Sequence, residues 1–356
     1  MSASDDFTGT MPVREQHRFD AARLASWLEA NVAGARGPVE VTQFKGGQSN
    51  PTFLVKTADG QRLVLRRKPP GKLLPSAHAV DREFRVISAL AATDVPVAKA
   101  HALCLDESVV GTAFYIMGYV EGRVFWEPTL PGLAPAERHA LYDALNDVIA
   151  RLHRVDYQAI GLGEFGRPGN YVRRQIDRWT KQYRASETEP IPAMDRLIAW
   201  LPEHIPEDEE TRIVHGDYRL DNVIFHPTEP RILAVLDWEL STLGNPLSDF
   251  AYHMMSWRLG QDAYRGLLGH DLAALGIPDE AEYRTLYCRR TGRRDIPHWD
   301  FYMAYNMFRL AAILQGIMGR VMEGTAANVR ARESGARARA MAEAGWRQAE
   351  ALERNR

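Results

Sequence analysis

The chain has 356 residues, 45% of them hydrophobic, with 44 basic and 46 acidic residues interleaved to a formal net charge of −2. That is enough chain for two lobes with cores of their own, and the balanced charge excludes a global basic field suited to nucleic acid or an anionic membrane. No apolar run approaches a membrane span. Met1–Asp6 is polar and acidic, without the basic and apolar layout of a signal peptide. Cys104 and Cys288 lie far apart with no metal-type neighbours, which predicts reduced thiols and a soluble, cytoplasmic protein.

Residues 1–17 read as a flexible tail. Asp20 is placed to cap a helix carrying Leu24, Trp27, Leu28 and Val32 on one face. Strands are predicted at Val39–Phe44, Thr52–Thr57 and Leu63–Arg66, an antiparallel meander. Gly46, Gly47, Gln48, Ser49 and Asn50 form the first turn. Glycines there let backbone N–H groups approach phosphate oxygens, although the run is not G-x-G-x-x-G and an ordinary hairpin turn reads the same. Strand alternation puts Val64 and Arg66 on one face and Arg67 on the other. Ser76 is the expected cap of a helix running to about Leu90. Glu83 falls within that helix's apolar stripe of Val80, Phe84 and Ile87, and a carboxylate on a buried face needs a cation. Arg66 is one candidate; Arg82 or Arg85 at the surface is the other. Ala113–Tyr119 reads as another strand. Helices follow near 135–154, 169–186, 193–201, 246–259, 279–289 and 300–320, with a single strand pair among them at Val223–Phe225 and Ile232–Leu236. A β-rich first third before an α-rich remainder predicts an α+β fold of two lobes. The tail from about Thr325 reads as a helix, solvated or in contact with a second copy in a homodimer.

His215-Gly-Asp-Tyr-Arg-Leu-Asp-Asn222, followed by Asp237-Trp238-Glu239, carries the chemistry. Phosphoryl transfer needs a carboxylate to orient a hydroxyl and accept its proton, and hard oxygen ligands for Mg²⁺. The spacing matches H-R-D-L-x-x-x-N with a later metal-binding Asp. Asp217 falls on the base, Asn222 and Asp237 on the metal ligands, and Arg219 where a cation can meet the transferred phosphate. A hairpin between the two strands returns the chain, so Asn222 and Asp237 are expected at one end of it. Asp249 reads as a structural partner of the catalytic loop and His153 as a packed helix-end residue. Glu239 suits either a supporting group for the metal or a substrate contact. Tyr171, Trp179, Trp257, Tyr302 and Tyr305 could line a substrate pocket, but aromatics at helical spacing read more often as core.

From about Phe44 to about Arg320 the chain resembles the aminoglycoside phosphotransferase and choline kinase superfamily, the small-molecule branch of the protein-kinase-like fold. It is most similar to the kinase-like domains associated with acyl-CoA dehydrogenases, through Leu63–Gly71, Leu74–His78 and Gly244-Asn245-Pro246. The resemblance implies a β-rich N-lobe over 18–120 that binds ATP and a helical C-lobe over 121–324 with the catalytic loop, metal and substrate, followed by a C-terminal helix over 325–356. It implies Arg66, in place of the lysine of V-A-I-K, at the phosphates with Glu83 as its partner. It also implies a hinge from Met117 through Tyr119 to Val120 against adenine. No activation segment ending in A-P-E is present, which favours a small hydroxylated substrate over a protein. A hydroxyacyl compound, such as a hydroxyacyl-CoA, ranks first; the cations Arg66, Arg67, Lys68 and Lys72 could also meet a CoA phosphate. Aminoglycosides or amino alcohols rank second. A catalytically silent binding domain is the remaining alternative.

Overall fold

The computed structural model describes residues 9–46, 50–71, 78–207, 210–261, 263, 265–324 and 331–354. In chain order the elements are β1 (Thr10–Met11), α1 (Ala21–Asn31), β2 (Val39–Phe44), β3 (Thr52–Thr57), β4 (Arg62–Arg67), α2 (Val80–Leu90), β5 (Ala100–Cys104) and β6 (Phe114–Gly118). There follow α3 (Pro135–Arg154), α4 (Tyr171–Ala185), α5 (Pro192–Trp200), β7 (Arg212–Val214), β8 (Val223–Phe225), β9 (Ile232–Val235), β10 (Thr242–Gly244) and α6 (Pro246–Met254). The chain ends with α7 (Leu272–Leu275), α8 (Glu280–Thr291), α9 (Trp299–Met322), α10 (Ala331–Gly335) and α11 (Ala338–Arg354). The fold class is α+β, as the sequence predicts. None of the helices, among the described residues, is long and apolar enough to cross a membrane.

Two compact units divide the chain. The first takes 1–126, 157–165 and 220–241; the second takes 127–156, 166–219 and 242–356. The first therefore includes the β8–β9 hairpin, which the sequence-based division left with the helices. The reason is bonding: Val235 N–H donates to Pro96 O at 2.9 Å, and Arg123 and Phe225 exchange backbone bonds of 2.8 and 2.9 Å. Gly122 permits that approach, since a Cβ there would meet Phe225 O at 2.1 Å.

The first unit is built on an antiparallel sheet in the order β1-β2-β3-β4-β6-β5. The expected three-stranded meander is its centre. Period-two alternation sorts its faces. Phe53, Val55, Leu63, Leu65, Phe114 and Ile116 pack with Leu24 and Leu28 of α1 into one core. Asp20 caps α1, accepting from the Ala22 and Arg23 N–H groups. Residues 9–17 are not the loose tail that their polarity suggests: β1 pairs with β2, and Glu15–His17 forms a 3₁₀ turn. Helix α2 begins at Val80 after Ala79, later than expected; Ser76 lies outside the described residues. In the second unit β7 and β10 pair, so the strand pair foreseen for the later chain is not the only one.

Candidate active site

In the first unit, the sheet face opposite the α1 core borders a cavity of about 480 Å³. Leu54, Val64, Arg66, Tyr115 and Met117 face it from the central strands, and Asn222 and Asp237 reach it from the hairpin. Val223 pairs with Val235 in the β8–β9 register, and Leu236 N–H donates to Asn222 O at 2.8 Å. The hairpin thus brings Asn222 and Asp237 to one end. Asp237 has a φ of +62°, in the left-handed region that non-glycine residues occupy at a cost and chiefly as Asp or Asn.

Arg66 organises this cavity wall. It is 6% exposed and Glu83 is 1% exposed. Arg66 Nε lies 2.8 Å from Glu83 Oε2, and its Nη2 meets Asp237 Oδ1 and, at 3.5 Å, Glu239 Oε2. Of the two partners the sequence leaves open for Glu83, Arg66 is the one at hand; Arg82 and Arg85 donate instead to the Phe165 and Gly161 carbonyls. Glu83 also accepts from Tyr115 OH at 3.1 Å and from Asn50 Nδ2 at 2.8 Å. Burial pushes the Glu83 carboxyl up, with Arg66 pulling against it and Asp237 adding to it. Burial would lower Arg66, but Asp237 and Glu83 outweigh that and hold the guanidinium above its ordinary range.

Asn50 is fully buried and spends its amide on this network, donating also to Glu239 at 3.3 Å and facing His78 Nδ1 at 2.8 Å. Its side chain is therefore a bridge between carboxylates. Gly46 lines the cavity; Gly47, Gln48 and Ser49 lie outside the described residues. Met117 and Tyr119 both line the cavity, but Tyr119 N–H donates to Arg62 O at 3.3 Å and Gly118 N–H to Lys99 O at 2.8 Å. Arg67 points to the opposite sheet face, as alternation requires, where it donates to Val110 O and His17 O.

The donor set suits a hard divalent cation. Among the described residues no three His, Cys, Asp or Glu side chains are arranged to hold a metal by themselves. Mg²⁺ does not need such a cage: one or two carboxylates plus phosphate oxygens and water suffice. Asp237, with its side chain 29% exposed and lining the cavity with Asn222, offers that.

In the second unit the loop before Leu220 is held from two helices. Asp249 of α6 accepts the His215 and Gly216 N–H groups, each at 2.8 Å. Arg309 of α9 donates to Gly216 O at 2.7 Å. Both polar groups of Gly216 are thus engaged, at a φ of +83° that suits glycine. Burial would raise the Asp249 carboxyl; the His153 hydrogen bond and the His215 N–H outweigh it and hold it below the usual range. His153 sits between Asp249 at 3.2 Å and Tyr287 OH at 2.7 Å, a buried packing role. Asp217 Oδ1 accepts from Tyr252 OH at 2.6 Å and lies 3.0 Å from Arg219 Nε. Arg219 is therefore at hand to balance the Asp217 charge. Tyr252 and Arg309 are partners the sequence reading missed. Tyr252 carried a signal, its three-residue spacing from Asp249 on one helix face; Arg309 carried none.

The sequence pattern of the phosphotransferase enzyme family (APH) matches residues 40–288. A Ralstonia eutropha JMP134 protein provisionally named an aminoglycoside phosphotransferase is 60% identical in sequence, with a TM-score of 0.86 over 94% of this chain and 99% of that one. Mouse acyl-CoA dehydrogenase family member 10 is 49% identical over 340 residues, covering 95% of this chain but 32% of that protein. The chain spans between about a third and less than half of the length of its acyl-CoA dehydrogenase relatives. Choline kinase from Cryptosporidium parvum Iowa II is 13% identical and shares the fold, with a TM-score of 0.62 over 94% of this chain and 97% of that one.

Proposed function

This chain belongs to the phosphotransferase enzyme family, and on that premise we propose that it transfers the γ-phosphate of ATP, with Mg²⁺, to the hydroxyl of a small hydroxyacyl compound. The observation that carries the reading is Arg66, ion-paired to Glu83 and Asp237 on the wall of a cavity that Asn222 shares. The cavity is of ligand size. Val64 and Met117 provide apolar walls for a planar base. With the Gly118 and Tyr119 N–H groups engaged, the Gly118 carbonyl and the Val120 N–H are the proposed partners of its polar edge. Arg66 is the proposed cation for the phosphates, held in place by Glu83 and Asp237.

Asp237 and Asn222 would hold Mg²⁺, which would supply neutralisation of the phosphate charge. Asp217 takes the proton of the acceptor hydroxyl as its oxygen bonds to the γ-phosphorus. The bond from that phosphorus to the β–γ bridging oxygen breaks, and ADP leaves. Tyr252 fixes the position of the Asp217 carboxylate, its hydroxyl donating to Oδ1. Arg219 adds a cation beside it.

The hydroxyacyl choice rests on the acyl-CoA dehydrogenase relatives; of the cations expected to meet a CoA phosphate, Arg66 is paired with Glu83 and Asp237, Arg67 faces the other side of the sheet, and Lys72 lies outside the described residues. An aminoglycoside would call for uncommitted carboxylates. Glu210, in the acidic stretch from Glu203, is instead paired with Arg212 and Arg293. ATP consumption with hydroxyacyl-CoAs, free hydroxy acids, choline and kanamycin tests the proposal. Turnover confined to kanamycin would move the substrate; no Mg²⁺-dependent turnover on any acceptor, with ATP still bound, would favour the silent binding domain.

A further inference from the structure

We propose that the N-terminal segment Gly9–Phe19 is a working part of the nucleotide site, its docking on β2 being coupled to nucleotide binding; the proposal rests on the reading that the cavity takes ATP. The family pattern begins at residue 40, yet Gly9 and Thr10 line the cavity. They reach it because β1 lies alongside the end of β2, with Thr10 opposite Phe44 and Met11 opposite Gln43. Lys45 N–H donates to Gly9 O at 3.2 Å, so the segment grips the chain one residue before Gly46, which also lines the cavity. The docked segment thus fixes one flank of the glycine turn.

The segment is fastened by side chains outside the cavity lining. Gln43 is 5% exposed. Its Oε1 accepts from Arg14 N–H at 3.2 Å, and its Nε2 lies 3.0 Å from His17 Nδ1. Arg67, 3% exposed, donates to His17 O at 2.9 Å and lies over the Phe19 and Phe53 rings. A two-residue strand has little stability of its own, so its docking depends on these contacts. A ligand that touches Gly9 and Thr10 binds the docked form better. Linkage then makes docking tighten the nucleotide by the same factor as the nucleotide tightens docking.

Limited trypsin digestion of the full chain, with and without saturating AMP-PNP and Mg²⁺, tests this at Arg14 and Arg18, both exposed. Cleavage there, followed by mass spectrometry, is expected to slow at least about threefold with nucleotide. Calorimetry should show Gln43→Ala weakening AMP-PNP about fivefold, the scale of one lost hydrogen bond. Gln43→Glu, which keeps the acceptor for Arg14 N–H but loses the Nε2 donor facing His17 Nδ1, should restore part of it. Cleavage at both arginines that is unchanged while the wild-type chain binds AMP-PNP overturns the coupling and leaves the ATP reading standing. Absence of AMP-PNP binding by the wild-type chain removes the ATP reading, and this proposal with it.

Discussion

Replacing Arg66 by alanine removes the only guanidinium that Glu83 and Asp237 are paired with in the contacts above. Breaking a buried ion pair from one side typically costs about 3–5 kcal/mol, because the other charge is left buried. Here the lower end applies. Glu83 keeps donors from Asn50 and Tyr115, and burial already pushes its carboxyl towards the neutral form. Asp237 and Glu239, with side chains 29% and 23% exposed, can hydrate. We expect a loss of about 3 kcal/mol at pH 7. Glu83→Ala should cost less, about 2 kcal/mol, because Arg66 retains Asp237 and Glu239. Once Glu83 is gone, removing Arg66 strands only the two partly exposed carboxylates. The double variant should therefore fall short of the sum by at least about 1 kcal/mol. Urea unfolding at constant m-value measures all four chains. Strict additivity, or an Arg66→Ala effect within about 0.5 kcal/mol as at an ordinary surface position, would refute the pairing as the organiser of this wall.

Asp217→Asn keeps shape and removes the proton acceptor; turnover should fall by at least about a hundredfold, the range of a positioned base, while ATP affinity measured by calorimetry survives. Asp237→Ala should raise the Mg²⁺ needed for half-maximal nucleotide binding more than Asn222→Ala does, since it removes a charged ligand; equal, unchanged Mg²⁺ titrations would move the metal elsewhere. His253 is buried against Tyr283 OH at 2.8 Å, and burial lowers its pKa to about 4. The unfolded chain binds that proton near pH 6.5, so its stabilisation is full above about 6.5 and fades as pH falls towards about 4. Urea unfolding of the wild type should lose about 3 kcal/mol more than His253→Gln over that window; parallel pH curves would contradict it.

Local signals made much of this fold legible. The turns at Gly46 and Asp59-Gly60 bounded β2 and β3 residue for residue, and the helix expected near 135–154 is α3. Elements without local signal were missed. β5 is Ala-His-Ala-Leu-Cys, poor in β-branched residues. β7 and β10 have three residues each, too few to show a period. The order in residues 9–17 comes from Gln43 and Arg67, whose reach no window over the segment can see. The site divides similarly. The hairpin that gathers Asn222 and Asp237 is local, and so was readable. Tyr252 meets Asp217 across 35 residues and Arg309 meets Gly216 across 93; only the tertiary fold specifies such partners.

The arrangement around Arg66 also bears on whether this domain catalyses or merely binds. A core built for stability alone would pair one guanidinium with one carboxylate, or replace both with apolar groups, which is often no less stable. Here Glu83, Asp237 and Glu239 converge on Arg66. Like charges so close repel, and each raises the others' affinity for a cation. Asp237 in addition holds a left-handed backbone conformation, at a cost of roughly 1–3 kcal/mol. Neither feature improves packing, and both place a partly exposed carboxylate at the mouth of a cavity that Asn222 shares. A divalent cation with its phosphates, as proposed, would relieve the repulsion and use the strain. On this physical ground the phosphotransferase reading accounts for groups that the silent-domain reading leaves as unexplained cost.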